Sequence, residues 1–155
     1  MFKSLLRFLV PVLGIILIGG GVWYGIQYWR YINSEEYQAI KYTKEITKKY
    51  AEDTFGGDTP EETLRLFIDA LKKGDTDLAA RYFILDKQEE WKEDLAKIKE
   101  KGLLKDMIRD LERLEKSKEE PEEVFYVTTN EANVVSVQLI VGKNPYSKKW
   151  KIYEL

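Results

Sequence analysis

Residues 8–29 carry no charged side chain and are mostly apolar, and mixed polar and apolar patterning begins only after Arg30. A bilayer core of about 30 Å takes roughly 20 helical residues at about 1.5 Å rise each, so the run predicts one membrane-spanning helix. The rival reading is a secretory signal peptide led by Lys3 and Arg7. Such a peptide has an apolar region of about 7–15 residues ending at a small-residue cleavage site. Here the run is longer, and Gly19-Gly20-Gly21 leads into bulky Val22, Trp23 and Tyr24. With no cysteine in the chain, a lipid anchor on cysteine is excluded. The expected organisation is a short cytoplasmic tail (1–7), a transmembrane helix (8–29), a juxtamembrane helix and linker (30–57) and a soluble domain (58–155).

Trp23, Tyr24, Tyr28, Trp29 and Tyr31 crowd one end of the span, and such aromatics settle at the headgroup boundary. Orientation follows the lysines and arginines near the span. Lys3 and Arg7 stand close to it and unopposed. Arg30, Lys41, Lys44, Lys48 and Lys49 are spread out and mixed with Glu35, Glu36 and Glu45. An inside amino terminus and an extracytoplasmic domain are therefore expected, although the raw basic count runs the other way.

Past the span, residues 33–52 read as a helix with Tyr37, Ile40, Ile46 and Tyr50 as its apolar positions, a stalk lifting the domain. Phe55-Gly56-Gly57-Asp58 breaks that pattern, because paired glycines flex the chain. Thr59-Pro60-Glu61-Glu62 then opens a helix: threonine at the cap, proline at the first position, and glutamate three residues after the cap. Leu64, Phe67, Ile68 and Leu71 continue it at helical spacing, and Gly74 closes it. A second helix is expected over 77–85, a third capped by Asp86 with a Trp91, Leu95 and Ile98 stripe, and a fourth after Gly102. From residue 117 an acidic turn leads to three strands. These are 124–128, a second with Val135, Val137, Leu139 and Val141 on one face after an Asn130-Glu131 turn, and a third around 150–153 with Trp150 and Ile152 pointing one way. Helices first and an antiparallel sheet last is an α+β order.

Composition narrows the chemistry. All 27 acidic residues lie beyond Ser34, as do all of the 25 basic ones except Lys3, Arg7 and Arg30. An evenly mixed, mildly acidic surface argues against nucleic acid, which selects a concentrated basic stripe. There is no histidine and no cysteine. That removes imidazole as a general base near neutral pH, thiol nucleophiles, and nitrogen or sulfur ligand sets for zinc. No metal and no cofactor are expected.

Thr59-Pro60-Glu61-Glu62, then Phe67, Ala70, Leu71, Lys72, Lys73, Gly74 and Asp75, then Ala79, Ala80, Arg81, Tyr82 and Phe83, together resemble the opening helices of nuclear transport factor 2-like domains. The style is that of small, membrane-anchored extracytoplasmic bacterial members. Lys149-Trp150-Lys151-Ile152 is similar to the tryptophan-bearing last strand of that group. The resemblance covers residues 59–155 and implies a curved sheet wrapped on a long helix to form a cone with an apolar cavity. The helical region over 86–116 is longer than in the family, and three predicted strands fall short of its four or more.

Enzymes of that family place an aspartate, or an aspartate with histidine, and often a tyrosine inside the cone. Tyr82, Tyr126 and Tyr153 are available, but Asp69, Asp106 and Asp110 fall on charged helix faces, so no catalytic residue is assigned and no enzyme is expected. Inner-membrane assembly subunits of type IV secretion systems share this plan by resemblance. The first expectation is therefore a non-catalytic scaffold or assembly subunit acting by protein binding. Its partner surface is the row Leu104, Met107, Ile108, Leu111 and Leu114, if the sheet leaves that row uncovered. Gly21 and Gly25 have the spacing that permits close helix packing in a membrane, leaving a homo-oligomer open. The second expectation is an apolar or lipid-like ligand walled by Phe67, Tyr82, Phe83, Trp91, Phe125 and Trp150, residues that plain core packing explains as well. A pilin-like subunit is the third. The pilin signature requires a glutamate near the start of the mature helix, and no acid precedes Glu35.

Overall fold

A computed structural model describes residues 2–129 and 135–155, with side chains from Val12 onward. The Asn130-Glu131 turn lies outside the described residues, as do the side chains of Lys3 and Arg7. The chain divides into two units, Met1–Ile46 and Thr47–Leu155.

The first unit holds helix α1 (Phe2–Ile32) and most of α2 (Glu35–Glu52). Residues 12–32 of α1 form an apolar helix with no buried residue: Leu17 is 75% exposed and Trp23 64%. An exposed apolar helix of this length near the amino terminus is a membrane anchor or a signal sequence. The expected helix over 33–52 does not run on from α1. The break falls at Asn33-Ser34, where side chains take the last carbonyls of α1. Asn33 Nδ2 donates to Trp29 O at 2.8 Å, Ser34 Oγ to Tyr31 O at 2.7 Å and Gln38 Nε2 to Ile32 O at 2.8 Å. Ser34 Oγ also accepts from Tyr37 N, capping α2. Helix ends leave such groups unpaired, and short polar side chains are the residues that satisfy them.

The second unit is α+β. Helix α3 (Pro60–Lys72) forms as its sequence dictates: Thr59 Oγ1 accepts from Glu62 N, Pro60 is its first residue, and the Glu62 carboxylate accepts from Asp58 N at 2.8 Å. Gly74 follows with φ +69°. Phe67, Ala70 and Leu71 are its buried face. The second helix is much shorter than expected, α4 (Thr76–Ala80), because residues 82–84 turn extended and bond to the last strand: Ile152 N donates to Tyr82 O and Ile84 N to Ile152 O, both at 2.9 Å. Asp86 is not a helix cap. It lies in a 3₁₀ turn (Leu85–Lys87), and its carboxylate accepts from Tyr50 Oη at 2.8 Å. Helices α5 (Gln88–Glu100) and α6 (Leu104–Leu111) follow, separated by Gly102 at φ +72°.

Four antiparallel strands, not three, complete the unit in the order β1-β2-β3-β4. They are β1 (Glu115–Glu119), β2 (Glu123–Thr129), β3 (Val135–Lys143) and β4 (Trp150–Glu154). The additional strand is β1, in a stretch expected to be helix end and acidic turn. Its five residues are all exposed, so no face alternates to reveal it. Val124, Tyr126, Leu139, Val141 and Ile152 point from the sheet onto the helices and form one core with Phe67, Leu71, Phe83, Leu95 and Leu111. Removing such side chains from water is the main stabilising term, about 1.5–3 kcal/mol each. The sheet's two edges are blunted differently. Glu and Lys line the open edge strand β1, a charge pattern that discourages pairing with other chains. The outer edge of β4 is occupied, with Trp150 N donating to Gly57 O at 3.0 Å.

Candidate functional site

An apolar cleft of about 410 Å³ lies between α5, α6 and β3 in the second unit. Trp91 and Ile98 come from α5, Met107, Asp110 and Leu111 from α6, and Val137 from β3, with Leu155 beside them. Helical spacing builds it. Trp91, Leu95 and Ile98 share one face of α5; Leu95 at the centre reaches the core, whereas Trp91 and Ile98 stay half-buried on the wall. Across from them, Met107 and Leu111 sit one turn apart on α6.

A second hollow of about 390 Å³ lies between α3 and α6. Leu64, Ile68, Leu114 and Tyr126 supply its apolar lining, and a charged rim surrounds them. That rim is self-paired: Lys72 Nζ meets Glu112 Oε1 at 2.6 Å and Lys116 Nζ meets Glu61 Oε1 at 2.9 Å. The Tyr126 hydroxyl donates to Glu61 Oε1 at 3.2 Å. Burial, reinforced by the Glu61 charge, pushes its ionisation up to about 12. The hydrogen bond from Lys116 holds the Glu61 carboxyl below its ordinary value. Rim charges already spent on one another leave little for a ligand.

The structure sorts the expected ligand wall into three places. Phe67 and Phe83 are wholly buried and meet edge to face at 5.4 Å; Phe83 in turn stacks on Trp91 at 4.4 Å. Of that aromatic file only Trp91 reaches the cleft. Tyr82 and Trp150 are also buried, 7% and 8% exposed, with Lys143 Nζ 6.0 Å from the Trp150 ring centre. Phe125 stands apart. It alternates with buried Val124 and Tyr126 along β2, so it occupies the sheet's other face, where Lys118 Nζ lies 5.6 Å from its ring centre.

The expected partner row is divided as well. Leu111 is buried in the core, while Leu104, Met107, Ile108 and Leu114 are half-buried against it. Met107 borders the larger cleft, Leu114 the smaller hollow, and Leu111 both. In the first unit, a methyl placed on Gly21 or Gly25 would meet nothing within 4 Å.

One feature has no sequence forecast. Lys151 is 1% exposed, and its ammonium reaches Asp53 Oδ2 at 2.7 Å, Arg81 O at 2.7 Å and Phe55 O at 3.0 Å. Gln88 Nε2 donates to the same carboxylate at 3.2 Å and to Phe83 O at 3.0 Å. Burial lowers the affinity of Lys151 for its proton, and Asp53 opposes that shift. All three donors of the ammonium are used, which identifies a structural clasp more readily than a reactive amine. Alternation along β4 is the one signal that marks position 151 as facing away from Trp150 and Ile152.

Comparison of the chain with protein-family models, with curated proteins and with solved structures finds no match.

Proposed function

We propose that this protein is a single-pass membrane protein whose extracytoplasmic α+β unit acts by binding another protein, without catalysis of its own, as a scaffold or assembly subunit. The observation that carries the reading is the cleft between α5, α6 and β3. It is apolar, open to solvent, and placed where Trp91, Ile98 and Met107 remain half-buried after the core is complete. Half-covered apolar surface at helix ends and sheet margins is what partner side chains fill. Kinship with nuclear transport factor 2-like domains belongs to the same proposal, supported by the capped first helix and by an antiparallel sheet following the helices.

The test is a photo-crosslinking amino acid at position 107 in the full chain, expressed in membranes. The proposal expects a discrete protein adduct that disappears when Ile98→Lys fills the cleft with charge. Labelling of lipid alone, or no adduct, counts against it.

A second reading rests on the cleft's volume, about 410 Å³, which falls in the range of small-molecule sites of about 300–1,000 Å³. A lipid-like molecule copurifying with the chain and displaced by Ile98→Lys favours this alternative.

A further inference from the structure

We infer that Lys41 and Lys44, with Tyr37 and Ile40 on the same face of α2, rest against anionic phospholipid headgroups of the membrane that α1 enters; the inference rests on reading α1 as an anchor. Successive helical residues turn by about 100°, which gathers Tyr37, Ile40, Lys41 and Lys44 into one arc of roughly a third of the circumference. No acid falls within that arc. Glu35 and Glu36 occupy the first turn of α2, where negative charge suits the helix dipole, and Glu45 flanks the arc beside Lys41. Ile40 is 46% exposed, and Lys41 and Lys44 are exposed with no carboxylate partner among the described residues. Lys48, one turn further on, already reaches Glu52 at 3.7 Å.

Position supplies the complement. The arc begins at Tyr37, whose ring packs edge-on against Tyr31 at 5.2 Å. Tyr31 is the last member of the aromatic collar that ends α1, so the collar continues onto this face of α2. At about 1.5 Å per residue, Lys44 lies roughly 14 Å along α2 from its first residue, Glu35, which follows α1 after two turn residues. A headgroup layer and a Debye length of about 8 Å bring both ammonium groups into the field of an anionic surface. Lys44 falls between Ile40 and Tyr37 on the arc and Lys41 beside Tyr37, an interleaving in which lysine stems lie along apolar surface while their ammonium groups reach the headgroups.

The full chain, which has no native cysteine, tests this directly. Fluorescent label at Ile40→Cys, with Tyr42→Cys on the far face as reference, is read by quenching from headgroup-spin-labelled lipid. The discs contain phosphatidylcholine alone or with an equal part of phosphatidylglycerol. Strong quenching at position 40 only with phosphatidylglycerol is expected, falling about fivefold for each of Lys41→Gln and Lys44→Gln and restored by arginine. Equal quenching in both discs, or indifference to the glutamine variants, overturns the headgroup contact while leaving the anchor intact. A chain retained by neither disc overturns the anchor and the contact together.

Discussion

The Lys151 ammonium and the Asp53 carboxylate meet at 2.7 Å with both side chains almost wholly buried, joining the residue just after α2 to the last strand. Removing one partner strands a buried charge. Asp53→Ala should therefore cost about 3–5 kcal/mol in denaturant unfolding of the full chain in detergent. Paired Asp53→Asn and Lys151→Met should cost clearly less than the two single changes added together, since the pair must leave water as a unit.

Gly56 has φ +121°, and a methyl group there would strike the carbonyl oxygen of Trp150. Gly56→Ala is expected to lose at least about 1–3 kcal/mol of stability, measurable by thermal unfolding. A loss near zero would mean that residues 56 and 57 are a free linker and not part of the packed unit.

Much of the fold was legible in the chain. Thr59, Pro60 and Glu62 announced α3 because caps are local chemistry, and β3 showed in Val137, Leu139 and Val141 because one face is drawn to the core, whereas Val135, beyond a shift in register, is 53% exposed and not part of that face. What escaped lacked such local signals. Strand β1 alternates nothing, as all five side chains are exposed. Asp86 has the form of a cap, yet its carboxylate accepts from distant Tyr50. Lys151 and Asp53 lie at opposite ends of the unit in sequence, so no window contains both. Among the candidate site residues, Trp91, Met107 and Leu111 do converge. Phe67 and Phe83 were better described by packing, and Phe125 was separated from them by strand alternation.

Leu111 and Met107 differ in burial although they are one helical turn apart. Leu111→Ala should cost about 2–5 kcal/mol by opening the core, whereas Met107→Ala should cost about 1 kcal/mol. Chemical denaturation of the two variants checks the contrast, and equal losses would remove Met107 from the cleft wall.

Tyr126 ionises near 12 in the folded unit and near 10 in an unfolded chain. A raised value means that the protonated phenol favours folding. Its contribution is complete below about pH 10 and is lost as pH climbs through the folded value near 12. Stability should fall over that interval less steeply in Tyr126→Phe than in the parent, as read from unfolding at successive pH values. Identical slopes would mean that the Tyr126 phenol is neither buried nor held beside Glu61.

The central claim is that α1 stays in the membrane and carries the α+β unit outside it. One portion of membranes bearing the full chain is washed with alkaline carbonate and the retained protein weighed intact by mass spectrometry, while a second portion, sealed and unwashed, is exposed to protease from the outside. The account predicts an uncleaved chain that remains with the lipid and whose residues 47–155 are accessible from outside. A shortened, carbonate-soluble protein would identify α1 as a removed signal sequence and contradict it; a retained chain protected from outside protease would reverse its orientation.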